Sequence, residues 1–267
     1  MERDQGLTSY DLGMASNYSK LFTESSPFQY IATAMGEYIS SQVDSSSHSV
    51  LDVACGVGDY ISRLHKRGFK HLDGIDISEN QITLARIQIP SARLFTLDVR
   101  NLSSWSKDMS DFRMYDVVNA SWLYDNATSA EDLCVMMSSI RSVLRYQGIH
   151  TGMVINPNAR AASAYELETW GVALMTDKPQ GYLPADGERI IGDIKQSKED
   201  SIRFAGYFYT EETLRSCFER SGFGDVCFVY PKSWDHRLLG LDVDNVKRFV
   251  SYAHDNPEMC AFFCRAY

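Results

Sequence analysis

The feature that most constrains the fold of this chain is a short apolar run that leads directly into a glycine turn. Ser49–Val53 contains β-branched residues and follows a polar, serine-rich segment, which is typical of a buried parallel strand. Gly56 and Gly58 come next, and helical spacing begins at Tyr60. Glycine lacks a Cβ, so the backbone can turn sharply and a ligand can approach it closely. Because open α/β sheets bind ligands at the carboxyl ends of their strands, we expect a ligand site at this turn.

Three acidic residues follow successive predicted strands. Asp52 lies at the end of the first strand, Asp76 closes the second, and Asp98 follows the third, which is predicted over Ala92–Thr96. An acid about 20 residues beyond the glycine turn is placed to accept hydrogen bonds from ribose hydroxyls. An acid after the third strand can accept one from an adenine amino group. NAD and S-adenosylmethionine both fit the first two acids, but the dinucleotide fingerprint needs a third glycine where Ile61 stands.

These residues resemble the motifs of class I S-adenosylmethionine-dependent methyltransferases. The resemblance extends from about Ser49 to Val154 and keeps the family's order and spacing. The matching motifs are Leu51–Gly58, Gly74–Ser78, Leu97–Asp98 and Tyr115–Val118. Ala54 replaces the family's first motif glycine and keeps a small residue at the tight point. Each acid taken singly is equally typical of a strand-end or capping carboxylate, but three acids in order favour the resemblance.

The resemblance implies S-adenosylmethionine as the cofactor, no metal, and a methyltransferase activity. It also implies an α/β fold with a Rossmann-like seven-stranded, mostly parallel sheet and an antiparallel C-terminal strand. The residues that it places at the cofactor are Tyr18, Asp52, Ala54, Gly56, Gly58, Asp76, Ile77, Gln81, Leu97, Asp98, Val99, Asn119, Ala120 and Ser121.

The chain is predicted to add two segments to this fold. The predicted divisions are an N-terminal lid and helix at 1–48, the cofactor-binding core at 49–156, an inserted substrate cap at 157–209, and the C-terminal part of the fold at 210–267. Helical periodicity predicts a helix over Phe28–Ser41 in the first division. In the last division, Phe223–Tyr230 and Cys260–Tyr267 are predicted to pair as the antiparallel edge of the sheet.

Caps and periodicity predict the helices of the core. Ser78 is expected to cap the helix after the second strand. A further helix is predicted over Ser129–Leu144, with Ser129 as its cap and one apolar face. Gln147 and Gly148 are expected to end that helix, and the fifth strand is predicted over Ile149–Ile155.

Aromatic residues outside the regular elements are the predicted substrate contacts. The segment with Tyr10 and Tyr18 resembles, more loosely, the lead-in of toxoflavin-type small-molecule methyltransferases, where such a segment folds over the cofactor as a lid. Trp122 and Tyr124 follow the fourth strand, and Trp170 lies in the predicted cap. Aromatic rings suit flat ligands in mostly apolar pockets. We therefore expect Tyr10, Trp122, Tyr124 and Trp170 at the substrate, with packing in the core, in the cap or on the first helix as the alternative.

Methyl transfer from a sulfonium makes modest demands on acid–base chemistry. The donor is already activated, so positioning and the exclusion of water carry most of the rate, and a general base is optional. The candidates for that base are Tyr124 with Asp125, Asp235 with His236, and His254. Asp235, His236 and His254 lie in the excursion before the terminal strand. For His150 we expect a packed or surface position.

Composition excludes several other classes of protein. A net charge of −9 argues against a nucleic-acid partner, since such proteins show a basic face. No stretch approaches the roughly 20 apolar residues of a membrane span. The six cysteines are scattered without a Cys-x-x-Cys pair, which indicates buried thiols in a reducing compartment, and the N-terminus has no signal pattern. A cytoplasmic protein with a small-molecule substrate is expected, as a monomer or a homodimer.

The favoured interpretation is methyl transfer to an oxygen or nitrogen of a small aromatic or heteroaromatic metabolite. One alternative is an RNA or protein methyltransferase, against which stand the acidic charge and the lack of an Asn/Asp-Pro-Pro-Tyr/Phe motif after the fourth strand. Another is an inactive cofactor-binding partner subunit, which would tend to lose Asp52, Asp76 and Asp98. A nicotinamide enzyme is the remaining alternative, and an antiparallel C-terminal hairpin is not expected of it.

Overall fold

A computed structural model describes residues 39–110, 112–160, 171–175, 178–179, 181–195, 201–229 and 259–267. Most of the predicted lid and of the Phe28–Ser41 helix lies outside the described residues. So do six of the predicted site residues, which are Tyr10, Tyr18, Trp170, Asp235, His236 and His254.

A seven-stranded mixed sheet forms the centre of the fold. The strands of the chain are β1 (Ser49–Val53), β2 (His71–Asp76), β3 (Arg93–Thr96), β4 (Tyr115–Asn119), β5 (Leu144–Ile155), β6 (Gly171–Met175), β7 (Arg189–Lys195), β8 (Ser201–Tyr207), β9 (Phe223–Val229) and β10 (Met259–Ala266). The large sheet has the order β3-β2-β1-β4-β5-β10-β9. Strands β1 to β5 pair in parallel, and β10 is antiparallel to both β5 and β9. The predicted sheet and its antiparallel C-terminal strand are confirmed.

Strand β1 is a central strand of the sheet, and every one of its residues is buried. It lies between β2 and β4, and its side chains alternate between two hydrophobic clusters on opposite faces of the sheet. Leu51 and Val53 belong to the cluster that also contains residues of the fourth and fifth helices, whereas Val50 belongs to the other. The register pairs Val53 with Ile75 and Asp52 with Asn119, so the carboxyl ends of the three strands meet at one edge.

In the described part of the chain, five α-helices lie between these strands. They are α1 (Asp59–Lys66), α2 (Glu79–Gln88), α3 (Leu102–Asp108), α4 (Ala130–Arg141) and α5 (Glu211–Arg220), with short 3₁₀ turns at Val99–Asn101 and Tyr124–Asn126. Ser78, Ser129 and Thr210 cap α2, α4 and α5, each accepting a hydrogen bond from the backbone N–H three residues on. The predicted caps are confirmed.

The boundary between α4 and β5 differs from the prediction. The helix ends at Arg141 and β5 begins at Leu144, so Gln147 lies inside the strand with φ of 59°. Tyr115 pairs with Leu144, whereas Val117 pairs with Ile149, and the extra residues between them form a bulge. The prediction was wrong here because apolar residues that continue the helical face serve as buried strand residues instead.

Strands β6, β7 and β8 form a separate antiparallel sheet within the segment predicted as a cap. Its last strand lies against the turn that follows β4, since a Cβ added to Gly206 would be 3.0 Å from the backbone oxygen of Asp125. Just beyond β8, the Tyr209 hydroxyl donates to the backbone oxygen of Ala127 at 2.7 Å. These contacts fix the end of the small sheet beside the carboxyl edge of the large one. No helix in the described part of the chain is long and apolar enough to cross a membrane.

Candidate active site

The glycine turn after β1 contains three left-handed residues. Ala54, Gly56 and Gly58 have φ values of 56°, 55° and 88°. A Cβ added to Gly58 would meet Cδ1 of Ile89 at 2.7 Å, so this part of the turn packs against α2 and its C-cap. A Cβ added to Gly56 would meet only the side-chain oxygen of Gln81, at 3.9 Å. The turn is therefore packed tightly on one side and leaves open space at Gly56.

Asp76 connects the glycine turn to the start of α2. Its Oδ2 accepts from the backbone N–H of Gly56 and its Oδ1 from that of Ser78, both at 2.9 Å. Burial raises the pKa of this carboxyl, and the backbone hydrogen bonds oppose the rise. Gln81, one turn into the helix, is buried, and its Oε1 has no hydrogen-bond partner in the described structure. Ile77 is exposed.

Asp52 and Asn119 meet where β1 and β4 end. The Nδ2 of Asn119 donates to Oδ1 of Asp52 at 2.6 Å, and Ser121 donates in turn to Oδ1 of Asn119 at 3.2 Å. Oδ2 of Asp52 is buried and has no partner within the described ranges. Burial raises the pKa of Asp52 to about 7, although the bond from Asn119 opposes this. The site thus contains a buried carboxyl group, Asp52, whose pKa lies near neutral pH.

Asp98 differs from the other two acids because it is paired with a cation. Its Oδ1 caps the 3₁₀ turn by accepting from the N–H of Arg100, and both carboxylate oxygens accept from that guanidinium. Arg100 also forms an ion pair with Asp132 at 2.7 Å. Leu97 is partly buried and Val99 is buried beside it. An adenine amino group would have to share Asp98 with Arg100.

Trp122 occupies a strained position in the loop after β4. Its φ is 63°, which is unusual for a bulky side chain. Its N–H donates to the backbone oxygen of Met153 at 2.8 Å, and the N–H of Ala120 donates to Thr151 in the same way. The indole Nε1 is buried without a hydrogen-bond partner among the residues described. Strain together with an unpaired donor is typical of a ligand-binding position.

Tyr124, which the sequence predicts as a substrate contact or a base, lies in the core. Its side chain is 1% exposed, and its hydroxyl lies 2.5 Å from Nε2 of His150. Burial lowers the pKa of His150 to about 4, so the ring is neutral and its Nδ1 donates to the oxygen of Val118. Tyr124 also packs against Phe218 and Phe262. These contacts hold the Tyr124 side chain within the core.

Asp125 is the site residue whose environment could not be foreseen from the sequence. It is 8% exposed, and its Oδ1 accepts from the N–H of Ile155 at 3.4 Å. Burial raises its pKa to about 7, with only that backbone bond opposing. Its position after the fourth strand was the only available signal, because its burial depends on contacts with β5 and β8.

The sequence of the core matches a known domain. Residues 50–148, from β1 into β5, match the family model described as a methyltransferase domain. This match identifies residues 50–148 as a methyltransferase domain. The glycopeptide N-methyltransferase MtfA, a solved structure that shares the fold at 15% identity, contains bound S-adenosylmethionine. A comparison with curated proteins finds no match.

Solved methyltransferase structures share the fold across most of the chain. The CcbJ methyltransferase from Streptomyces caelestis is 12% identical, with a TM-score of 0.59 over 88% of this chain and 89% of that one. The amino pentose methyltransferase CalS10 from Micromonospora echinaspora is 13% identical, with a TM-score of 0.55 over 97% and 98% of the two chains. The sugar N-methyltransferase KedS8 from Streptoalloteichus is 12% identical, with a TM-score of 0.53 over 93% and 92%. At these identities the likeness establishes the fold alone.

The residues around the glycine turn have polar atoms that fit S-adenosylmethionine. S-adenosylmethionine carries an ammonium group and ribose hydroxyls, which are donors. The unpaired, buried oxygens of Asp52 and Gln81 are acceptors that need donors, and the backbone at Gly56 leaves open space beside them. The described residues contain no group of three or more His, Cys, Asp or Glu side chains that could hold a metal ion.

Proposed function

We propose that this methyltransferase acts on an oxygen or nitrogen of a small metabolite, aromatic or heteroaromatic in character. The observation that carries the proposal is the separate sheet β6–β8, whose last strand lies against the loop after β4 at the carboxyl edge of the main sheet. A second sheet at this edge leaves less room for a polymer than for a small acceptor. The acidic net charge of −9 also disfavours a nucleic-acid acceptor.

In this proposal the cofactor is S-adenosylmethionine, and the carboxyl ends of β1, β2 and β4 hold it. Asp76 accepts from the ribose hydroxyls through lone pairs that its backbone hydrogen bonds leave available. Asp98 and the backbone of Leu97 and Val99 lie at the adenine, and Asp52 and Gln81 take up the remaining donors. The other proposed contacts are Tyr18, Ala54, Gly56, Gly58, Ile77, Asn119, Ala120 and Ser121.

Positioning is the main task of the protein in this reaction. When bound, S-adenosylmethionine supplies an activated methyl group on a sulfonium, so the site needs no group to create a leaving group. The hydrogen-bonded chain from Ser121 through Asn119 to Asp52 fixes the carboxyl ends of β1 and β4 relative to each other. Asp52 and Ser121 are buried, which supports the exclusion of water at this edge, and that exclusion favours transfer to the acceptor over side reactions.

On the substrate side, Trp122 is the described residue that supports the proposal. Its unpaired indole N–H can donate to an acceptor atom of a ligand, and its ring offers apolar area. Tyr10 and Trp170 remain proposed contacts, and Asp235 with His236 a proposed base, outside the described residues. Two of the structural relatives are an amino pentose methyltransferase and a sugar N-methyltransferase, which supports a small acceptor and favours nitrogen.

Calorimetry with purified protein tests the cofactor part of the proposal. S-adenosylmethionine and S-adenosylhomocysteine should bind and NAD should not. Asp76→Ala should weaken binding by about 2–4 kcal/mol, because it removes hydrogen bonds to a charged acceptor and frees the Gly56 turn. Exposed Asp108, at the end of α3, provides the matched control Asp108→Asn.

A labelled-methyl assay tests the acceptor. Incubation of the protein with methyl-labelled cofactor and a metabolite extract should yield a labelled small product. Label that appears in RNA or protein, with none in the small-molecule fraction, would contradict the proposal. Unaltered cofactor binding by Asp76→Ala would contradict the assignment of the ribose site.

A further inference from the structure

Asp125 is a buried carboxyl group that has no cation beside it. It lies in the 3₁₀ turn Tyr124–Asn126, directly after the loop that contains Trp122. Only 8% of the surface of Asp125 is exposed. The only hydrogen bond to its side chain in the described structure is the long one from Ile155 N–H, at 3.4 Å. A buried carboxylate is costly unless it is paired, so this group calls for a partner.

The elements packed around Asp125 do not supply a positive charge. Strand β5 contributes the N–H of Ile155, and β8 contributes Gly206, which has no side chain. Strand β10 contributes the thiol of Cys260, whose pKa burial raises and the charge of Asp125 raises further. The charge of Glu211, at the start of α5, also raises the pKa of that thiol, and Glu211 is another acid. No cationic side chain of the described part faces Asp125.

The location of Asp125 fits a residue that contacts the substrate better than one that contacts the cofactor. The proposed cofactor residues lie at the ends of β1, β2 and β4, whereas Asp125 lies past β4, between the end of β5 and the end of the small sheet. Gly206 is close enough that a Cβ there would lie 3.4 Å from Cβ of Asp125. The carboxyl group thus stands at the junction of the main fold and the sheet that we assign to the substrate.

We propose that Asp125 binds the ammonium group of an amine substrate and accepts its proton, which makes this protein an amine N-methyltransferase. The inference rests on the proposed function and narrows its acceptor from oxygen or nitrogen to nitrogen. An ammonium ion supplies the missing positive charge and donates to the carboxylate. The aromatic ring of Trp122, three residues earlier in the same loop, suits a cation as well.

The proton balance of this step is complete. A substrate ammonium R–NH₃⁺ gives one proton to an oxygen of Asp125 and becomes the amine R–NH₂, which has a free lone pair. That lone pair forms the new nitrogen–carbon bond while the carbon–sulfur bond breaks and its electron pair stays on sulfur. The product leaves as R–NH₂⁺–CH₃, and Asp125 returns its proton to solvent. A carboxyl with a pKa raised to about 7 by burial is a suitable acceptor near neutral pH.

Matched amine and alcohol probes test the assignment in protein loaded with S-adenosylhomocysteine. The pairs are benzylamine with benzyl alcohol and glucosamine with glucose, which separate an aromatic from a sugar framework. At least one amine should bind roughly tenfold or more tightly than its alcohol by calorimetry, and Asp125→Asn should abolish the preference. The control Asp108→Asn, which alters an exposed carboxylate away from the site, should preserve it.

A second measurement uses the unaltered protein and so does not depend on the folding of a variant. Carbon-13 NMR of labelled aspartate should show the Asp125 carboxyl titrating above its usual range, and the bound amine should lower that pKa. An amine preference that Asp125→Asn retains, no preference for either amine in the unaltered protein, or an Asp125 pKa that amine leaves unchanged would each overturn the inference. Failure of the protein to bind S-adenosylhomocysteine would instead overturn the proposed function.

Discussion

Asn119 donates a hydrogen bond to Oδ1 of Asp52 at 2.6 Å, and this bond joins the carboxyl ends of the neighbouring strands β1 and β4. It leaves the other oxygen of Asp52 buried and unpaired within the described structure. Burial raises the pKa of Asp52 to about 7, since the ionised carboxylate loses its water and one amide replaces only part of it. A ligand that donates to the free oxygen will therefore favour the ionised form of Asp52.

We expect the affinity for S-adenosylhomocysteine to rise with pH across the range from about 6 to about 8. In the free protein Asp52 is protonated below a pKa of about 7, so binding at low pH requires loss of that proton. The affinity should fall by up to about tenfold for each pH unit below the pKa. Calorimetry in buffers of different ionisation enthalpy should detect a proton released on binding.

Two variants separate Asp52 from other carboxyl groups. Asp52→Asn should remove the pH dependence. Asp116→Asn should keep the pH dependence. Burial raises the pKa of Asp116, but hydrogen bonds from Ser49 outweigh burial, so this pKa lies below its usual value and Asp116 does not titrate near pH 7. An affinity that is flat with pH in the unaltered protein would show that Asp52 does not face the cofactor.

Substitution of Gly56 and of Gly58 by valine should have different effects. Both residues are left-handed, so valine should cost each variant about 1–2 kcal/mol of stability. Gly56→Val should still fold but lose cofactor binding, because its side chain enters the open space beside Gln81. Gly58→Val should lose roughly a further 1–3 kcal/mol, since its Cβ overlaps Ile89. Denaturant unfolding measures the stabilities, and calorimetry measures binding. Normal binding by Gly56→Val would mean that the open space is not the cofactor site.

Ala54→Gly should stabilise the protein by up to about 1 kcal/mol. Ala54 has a φ of 56°, which is unfavourable for a residue with a Cβ. Glycine relieves that strain, and its larger entropy in the unfolded chain offsets part of the gain. Ala85→Gly, in the buried face of α2, is the control and should destabilise by about 1 kcal/mol. Unfolding midpoints in denaturant provide the comparison, and a loss of stability in Ala54→Gly would refute the strain argument.

The ligand-binding edge of the fold could be predicted because its signals are local. The run Ser49–Val53 is apolar and β-branched, the turn that follows contains Gly56 and Gly58, and Ser78 stands where a helix cap is needed. Each of these residues acts through its own backbone or through a neighbour within a few positions. Such short-range preferences agree with the structure in the part of the chain where single helices connect successive strands.

The features that escaped prediction depend on contacts between distant residues. Leu144 begins β5 because it pairs with Tyr115, and that pairing cannot be read from an apolar face that is also helical. Tyr124 follows a strand as a substrate contact would, yet His150, 26 positions later, draws its hydroxyl into the core. Among the described residues, β6 and β7 pair with one another and with β8, so they form through contacts within the small sheet.

Tyr124→Phe should leave catalysis unchanged and lower stability. The variant keeps the packing against Phe218 and Phe262 but leaves Nε2 of His150 buried without its hydroxyl partner. An unpaired buried acceptor costs about 1–3 kcal/mol, so the unfolding free energy should fall by that amount. Turnover with the identified acceptor should stay within about twofold of the unaltered enzyme, because 1% exposure keeps the hydroxyl away from any substrate. A pH–rate profile that lost a basic limb in Tyr124→Phe would restore Tyr124 as a base and contradict its placement in the core.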